Sequence, residues 1–289
     1  MYERGARRWL TLALFLGPSL IGLALFLVGP IVASLALAFT SWDLLTPPRW
    51  VGARNFVRLA DDPEFWTALR HTLQFLAGYL PLVMTTGLLV AVALNGRIVG
   101  RAFFRAVYFL PVVASWVAVA LVWKWLLNPA FGLVNFLLAQ VGVAGPAWLF
   151  DPTWAMFSVV LTSVWKDTGF VMVVLLAGLQ GIPREYYEAS AIDGAGPAQQ
   201  LRFVTVPLLM PALFFALSIS LINSFQVFDQ VYVMTGGGPA GATTVLVERI
   251  VRQAFSFSRM GYAAAMSWVL FVLIFVVTIA FSRAQKRFA

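Results

Sequence analysis

Two groups of polar side chains lie inside long apolar stretches of the sequence. In the first group Trp165, Lys166 and Asp167 follow one another, and charges placed so deeply usually face a cavity or a partner. The second group has a spacing of three, three and one residues, which predicts one helical stripe: Asn223, Gln226, and either Asp229 or Gln230. Amides and carboxylates can bind the hydroxyl groups of a sugar, and an aromatic face is a platform for a sugar ring. The groups therefore predict a polar pathway, and the alternative is hydrogen bonding between helices.

The composition is that of an integral membrane protein. Of the 289 residues, 61% are hydrophobic and only 11% are charged, whereas a soluble chain carries about 25% charged residues. The chain has no cysteine and a single histidine, His71, which excludes disulfides, thiolate chemistry and a histidine-based metal site. In a membrane protein, the net charge of +8 indicates Lys and Arg in cytoplasmic loops rather than a nucleic-acid partner.

Six apolar stretches could cross a hydrocarbon core, which takes about 20 helical residues. The predicted spans cover residues 9–39, 69–95, 103–127, 154–179, 203–228 and 262–281. The first is far longer than the core of a signal peptide, so we predict an uncleaved helix, bent near Pro18 or Pro30. The apolar residues 133–143 are too few to cross, and they predict an interfacial helix. The sequence therefore predicts one all-α domain over residues 1–289, a bundle of six transmembrane helices.

The positions of Lys, Arg and Pro add an orientation and a shape to this bundle. The N-terminus, the second loop, the loop at 180–202 and the C-terminal tail carry more Lys and Arg over fewer residues than the three opposite loops. Cytoplasmic loops are enriched in these residues, so both termini and the loop at 180–202 are predicted to be cytoplasmic.

Prolines inside spans free backbone groups that neighbours or water must satisfy, which favours bent helices around a cavity: Pro81, Pro111, Pro207 and Pro211.

The loop at 180–202 carries helix start and stop signals. Pro183 suits a first helical turn, where its missing N–H costs nothing. Glu188 is close enough to the helix start for its carboxylate to be stabilised by the positive end of the helix dipole. Gly194 and Gly196 can adopt the left-handed backbone that ends a helix, and Pro197 can begin the next one. We therefore predict a short helix, a glycine turn and a second helix that returns to the membrane.

This segment resembles the signature loop of the permease subunits of bacterial ABC importers. The family pattern is Glu-Ala-Ala, three residues, Gly, nine residues and then Ile-x-Leu-Pro, and here Ser190, Val204 and Val206 replace its second Ala, its Ile and its Leu. The resemblance implies the type I importer transmembrane fold and a loop that docks on an ATP-hydrolysing subunit. It assigns the coupling role to Glu188, Ala189, Ser190, Asp193, Gly194 and Pro207.

The C-terminal half is similar to carbohydrate-uptake permeases. The resemblance rests on the stretches 225–239, which includes Tyr232, and 260–265. It implies a bacterial inner-membrane subunit that works with a second permease subunit, two ATP-binding subunits and an extracytoplasmic substrate-binding protein. The chain has no phosphate-binding Gly-Lys-Ser/Thr loop, so we expect no cofactor on it, with ATP and Mg²⁺ held by the partner subunits. A disaccharide, an oligosaccharide and glycerol phosphate all stay open as solutes.

Two other classes of protein are alternatives to an importer subunit. An ion-gradient-driven secondary transporter would also have broken helices, and co-purification with an ATPase separates it from an importer. A membrane enzyme that acts on lipid would need converging acids, bases or metal ligands. The one acidic cluster, Asp61-Asp62-Pro63-Glu64, is better explained as a solvated turn and helix cap.

Overall fold

The structure is a computed structural model that describes residues 5–96 and 98–285, and that part of the chain is almost entirely helical. The α-helices are α1 (Ala6–Leu23), α2 (Gly29–Ala38), α3 (Arg54–Ala60), α4 (Pro63–Asn95), α5 (Arg101–Val113), α6 (Trp116–Leu126), α7 (Leu133–Gln140), α8 (Pro152–Gln180), α9 (Arg184–Ile192), α10 (Pro197–Gln200), α11 (Val206–Phe225), α12 (Asp229–Met234), α13 (Leu246–Val251) and α14 (Met260–Gln285). Five-residue π-helical turns occupy Ala24–Val28, Leu201–Thr205 and Arg252–Ser256. Strands β1 (Thr40–Ser41) and β2 (Arg49–Trp50) form an antiparallel pair. The predicted all-α fold class is confirmed.

Within the described residues, five helical stretches are long and apolar enough to cross a membrane. They are Trp9–Ala38, Pro63–Asn95, Pro152–Gln180, Pro197–Phe225 and Met260–Arg283. These stretches overlap the first, second, fourth, fifth and sixth predicted spans. The bent pair α5 and α6 occupies the third, and counting the pair as one broken span gives six. The interfacial helix predicted at 133–143 corresponds to α7.

The third predicted span is not one helix, because the chain turns by 100° between α5 and α6. α5 has 13 residues, or about 20 Å of helix, whereas the hydrocarbon core is about 30 Å thick. Ala114 and Ser115 adopt extended backbone conformations that end α5 and begin α6. The break frees the carbonyl of Val112, which accepts a hydrogen bond from Nζ of Lys166 at 3.0 Å. A side chain of α8 therefore stabilises the break.

Prolines explain two of the π-helical turns. A proline has no N–H, and its ring crowds the carbonyl four residues earlier. The turn at Ala24–Val28 lies just before Pro30, and the turn at Leu201–Thr205 lies just before Pro207. Widening the helix by one residue moves the crowded carbonyl away from the ring. The bend expected near Pro30 therefore takes the form of a π-helical turn within the first span.

The chain, predicted as one domain, divides into two compact units. The smaller comprises the residues up to Asp62 together with Ile250–Phe271, and the larger comprises Pro63–Arg249 together with the residues from Val272 onward. The core of the smaller unit contains Ala38, Ala264 and Ala265, packed against Leu37, Phe39, Phe56 and Trp268. Along α1 and α2, Ala38 is the one buried residue whose side chain is described. These two helices therefore present apolar surface over almost their whole length.

In the larger unit α8 is the central helix. Of its most apolar stretch, 67% is buried, as expected of a helix that is hydrophobic all round. Neighbouring helices approach α8 closely at its glycine residues, where no side chain keeps them apart. A Cβ on Gly169 would lie 2.0 Å from the carbonyl oxygen of Tyr108 in α5, and one on Gly178 would lie 2.7 Å from Leu209 in α11. Small residues permit such close approaches between membrane helices.

Replacing Gly169 with alanine is expected to destabilise the larger unit. The added Cβ would overlap with a backbone carbonyl, and overpacking of this kind costs about 1–3 kcal/mol. Thermal unfolding of the purified protein in detergent would report the loss as a lower midpoint. Gly78→Ala is the matched control, because a Cβ there would meet Val160 at an ordinary 3.5 Å. Equal midpoints for both variants would contradict the close approach of α5 to α8.

Candidate functional site

A polar cavity lies in the larger unit, beside the two places where helices break. Its volume is about 240 Å³. Its polar walls are formed by Asp167 of α8, by Asn223 and Ser224 of α11, by Gln226 in the break, and by Asp229 and Gln230 of α12. Aromatic rings complete the lining: Phe75, Tyr79, Trp116 and Phe228. Carboxylates, amides and aromatic faces together are suited to a solute that carries both hydroxyl groups and an apolar ring face.

Asp167 is held in the cavity by a tyrosine from another helix. The hydroxyl group of Tyr79 in α4 donates a hydrogen bond to Oδ2 of Asp167 at 2.8 Å. The Tyr79 ring is buried, 3% exposed, and stacks on Phe75 at a centroid distance of 5.3 Å. A carboxyl group has two oxygens and can form several hydrogen bonds, so this contact orients the group and leaves further positions for a solute.

The amides and the second carboxylate reach the cavity in a different way from the predicted stripe. α11 ends at Phe225, Gln226 caps it, and α12 begins only at Asp229. The predicted continuous helix over 203–228 is therefore wrong at its end, and helical periodicity does not align these side chains. The break itself directs Asn223, Gln226 and Asp229 to one cavity. Gln230 is buried and its amide nitrogen lies 3.4 Å from Oγ of Ser163.

Three other predicted pathway residues do not line this cavity. Trp165 is half exposed and contacts Trp123 edge to face at 5.5 Å. Lys166 is 4% exposed, and its Nζ lies 4.9 Å above the Trp116 ring as well as bonding the end of α5. Tyr232 is exposed and stacks on Phe228. The structure thus gathers Asp167 with the fifth-span group and places these three around it.

Tyr79 and Trp116 are lining residues that sequence reasoning missed. Tyr79 is a single hydroxyl group in an apolar span, and only the packing of α4 on α8 brings it to Asp167. Trp116 follows the unforeseen break before α6. In residues 5–96 and 98–285, no group of three His, Cys, Asp or Glu side chains converges to hold a metal ion.

The signature loop forms a short helix with a glycine end. Just beyond α9 the N–H of Gly194 donates to the carbonyl of Ala191 at 3.0 Å, and the N–H of Ala195 donates to the carbonyl of Ser190 at 2.9 Å. With φ of +82° at Gly194, this is the left-handed Schellman ending. Gly196 has φ of −72° and precedes α10 instead, so the left-handed conformation expected there is wrong.

One face of α9 is bonded to the rest of the chain and the opposite face is open. The hydroxyl groups of Tyr187 and Thr205 lie 3.1 Å apart, and the amide of Gln200 donates to the carbonyl of Tyr187 and to Oγ of Ser190. These contacts join α9 to the base of α11, where Pro207 occupies the first turn. The exposed face carries Glu188, Ala189, Ile192 and Asp193.

The fold and the cavity define a membrane transport subunit. Broken helices around a polar cavity between apolar spans are typical of transport proteins. A short helix with an open face, joined to a membrane-spanning helix, adds a surface outside the membrane on which a partner can act.

Comparison with known proteins identifies the family. Residues 83–289 match the family described as binding-protein-dependent transport system inner membrane component, and the chain belongs to this family. It is 35% identical to the trehalose/maltose transport system permease protein MalF of Thermococcus litoralis, over 93% of this chain and 91% of that protein. It is also 35% identical to the lactose transport system permease protein LacF of Rhizobium radiobacter, over 95% of this chain and 94% of that protein.

A solved structure agrees with the sequence comparisons. A chain from a bacterial ABC transporter involved in the import of the acidic polysaccharide alginate has a TM-score of 0.85 and 26% identity, with 97% of this chain and 96% of that chain covered. The protein thus has the transmembrane fold of type I ABC importers and is a permease subunit of an ATP-driven importer. This membership sets aside the ion-gradient-driven transporter.

Proposed function

We propose that the cavity beside the α11 break is this subunit's share of the import pathway for a neutral sugar. The observation that carries the proposal is the meeting of Asp167, Asn223, Gln226 and Asp229 with aromatic rings in one cavity of about 240 Å³. Hydroxyl groups of a sugar find acceptors and donors on these side chains, and the rings offer an apolar face. Relatives whose names refer to maltose, trehalose, lactose and alginate support a carbohydrate, and the choice of a neutral one rests on the charge of the cavity.

The charge of the cavity favours a neutral solute over glycerol phosphate. Its lining includes two carboxylates, Asp167 and Asp229, and no Lys or Arg. A phosphate group would meet like charges at these carboxylates. A disaccharide or an oligosaccharide carries no such penalty.

The subunit is proposed to work in the inner membrane with a second permease subunit, two ATP-binding subunits and an extracytoplasmic substrate-binding protein. The bias of Lys and Arg supports cytoplasmic termini and a cytoplasmic α9. The open face of α9 would dock on an ATP-binding subunit, and ATP and Mg²⁺ would be bound there rather than on this chain. The apolar surface of α1 and α2 is available to lipid and to the second permease subunit.

In this proposal, ATP-driven movement reaches the cavity through α11. The contact between Tyr187 and Thr205 joins α9 to the base of α11, and α11 extends from there to Phe225 beside the cavity. Displacement of α9 would therefore move α11 together with Asn223 and Gln226. This movement would open the cavity first to one side of the membrane and then to the other.

Thiol labelling of the importer in native membranes tests the pathway. Single cysteines at Asn223, Gln226 and Asp229 in this cysteine-free chain should react with a small polar thiol reagent. Maltose, trehalose or lactose, whichever is imported, should slow the reaction, and glycerol 3-phosphate should not. Cysteines at Leu221 and Phe225 are matched controls on α11, and Phe225 is only 3% exposed. Faster labelling at the control positions would contradict the assignment of the face.

A further inference from the structure

A second cavity lies in the larger unit, where α4 and α8 end and α5 and α9 begin. Its volume is about 650 Å³, and its polar lining consists of Asn95, Gln180, Tyr187 and three arginines, Arg101, Arg105 and Arg184. Gln180 follows Asp167 along α8 by about 20 Å of helix. This arginine pocket is therefore distinct from the solute cavity.

The arginine pocket carries positive charge without a compensating carboxylate. Its lining contains no Asp or Glu, and within residues 5–96 and 98–285 no carboxylate pairs with its three arginines. Arg101 and Arg105 are four residues apart on α5, so they share one face of the helix and repel each other. Chains rarely bring such charges together without a partner of opposite sign.

A neutral amide holds two of the arginines in place. With its amide oriented by its hydrogen-bonding partners, the side-chain oxygen of Gln180 accepts from Arg101 at 2.7 Å and from Arg105 at 2.6 Å. The amide fixes the positions of the two guanidinium groups, but it does not neutralise them. The pocket is therefore organised in advance for an anion.

The two guanidinium groups also have donors to spare. Gln180 engages one terminal nitrogen of each group, whereas a guanidinium group has five N–H donors. The Nε atoms are shielded from solvent, so the donors open to the pocket are on the terminal nitrogens. A phosphate group offers several acceptor oxygens to such donors on two arginines at once.

We propose that the arginine pocket binds a phosphate-bearing anion. The pocket lies where the long helices α4 and α8 end and α5 begins, which is where the apolar stretches end, and basic pockets at the cytoplasmic ends of membrane helices bind anionic headgroups. A headgroup phosphate and free inorganic phosphate share the required chemistry. Arg184 and Tyr187 belong to α9, so an occupant joins the first turns of α9 to α5 and α8.

Binding itself does not depend on the proposed transport of sugar, and it can be measured on the purified chain alone. The full-length protein in detergent is titrated with phosphatidylglycerol, with phosphatidylcholine of the same acyl chains, and with inorganic phosphate at constant ionic strength. A ligand that binds the folded state raises the unfolding midpoint by mass action. We expect phosphatidylglycerol, inorganic phosphate or both to raise it, and phosphatidylcholine to do so much less.

The double variant Arg101→Gln and Arg105→Gln should bind whichever of the two phosphate ligands raises the midpoint about 30-fold more weakly. This factor corresponds to a loss of about 1 kcal/mol of binding free energy for each arginine. Arg202→Gln is the matched control, because Arg202 is an exposed arginine of the same predicted cytoplasmic loop outside the pocket. If the double variant does not fold, the variant with Arg101→Lys and Arg105→Lys keeps the charge and loses the forked donors, and it should weaken binding by a smaller factor.

Each outcome decides the proposal. A shift with phosphatidylglycerol alone supports a lipid headgroup, and a shift with inorganic phosphate supports a free anion. Equal shifts with phosphatidylglycerol and phosphatidylcholine, or unchanged binding in the double variant, overturn the proposal. Loss of the ATP-binding subunits from the double variant, with no effect of either phosphate source, would also overturn it in favour of a carboxylate on a partner protein.

Discussion

Replacing Gly194 with valine is expected to cut solute uptake by about 5- to 30-fold while the permease stays in the membrane at normal levels. Gly194 has φ of +82° and ends α9, and an L-residue in that conformation costs about 1–2 kcal/mol. Strain of this size lowers the fraction of α9 in its docking conformation by the same 5- to 30-fold factor, roughly. Nothing lies within 4 Å of a Cβ at this position, so backbone strain is the only local effect.

Two matched variants make this result specific. Gly194→Asn should retain most uptake because asparagine tolerates the left-handed conformation, and Gly196→Ala should be neutral because φ there is −72°. Glu188→Lys, on the open face of α9, should lower uptake and release the ATP-binding subunits without a change in backbone. Permease abundance, ATPase co-purification and uptake are measured on the same membranes. Normal assembly and uptake in both Gly194→Val and Glu188→Lys would refute the coupling role.

Replacing Asp167 with asparagine is expected to lower uptake by about 10- to 100-fold, since a hydrogen bond to a charged group contributes about 1.5–3 kcal/mol. The substitution keeps the shape of the side chain and removes its charge. A buried charge inside a membrane span is costly, so the unfolding midpoint should stay level or rise. A purely structural carboxylate, bonded to Tyr79, predicts the opposite pair of results: a lower midpoint and unchanged transport for each folded molecule.

A control on the same helix separates these outcomes. Asp151 caps the start of α8, where its Oδ1 accepts a hydrogen bond from the N–H of Thr153 at 2.8 Å. Asp151→Asn is expected to leave uptake unchanged, because asparagine is also a good N-cap. Uptake and unfolding midpoints of both variants, measured on the same preparations, complete the test. Equal uptake in Asp167→Asn and Asp151→Asn would remove Asp167 from the pathway.

The sequence alone predicted the features that depend on the order of residues within one segment of the chain. Span positions follow from apolar length, and the α9 ending at Gly194 follows from the one residue type that accepts left-handed backbone at no cost. Pro30 and Pro207 marked places where the helix had to adjust. For these elements the chain's own chemistry, without its neighbours, decides the conformation.

Tertiary contacts decided the rest. The break between α5 and α6 depends on the bond from Lys166 to the Val112 carbonyl and on the close contact at Gly169, and neither can be read from residues 103–127. Asn223 and Gln226 lie in one cavity with Asp167, but a helix break rather than helical spacing brings them there. The arginine pocket depends on Gln180 reaching α5, which no spacing within either helix encodes.

The two helices that flank α9 differ in stiffness. α8 is one continuous helix of 29 residues without an internal proline, whereas α11 follows a π-helical turn and contains Pro211. A force on α9 therefore displaces α11 more readily than α8. In the proposed pathway the cavity lies between groups on both helices, with Asp167 on α8 and Asn223 on α11. A movement of α11 relative to α8 would then separate these groups, so that release of the solute and opening of its exit would be one event.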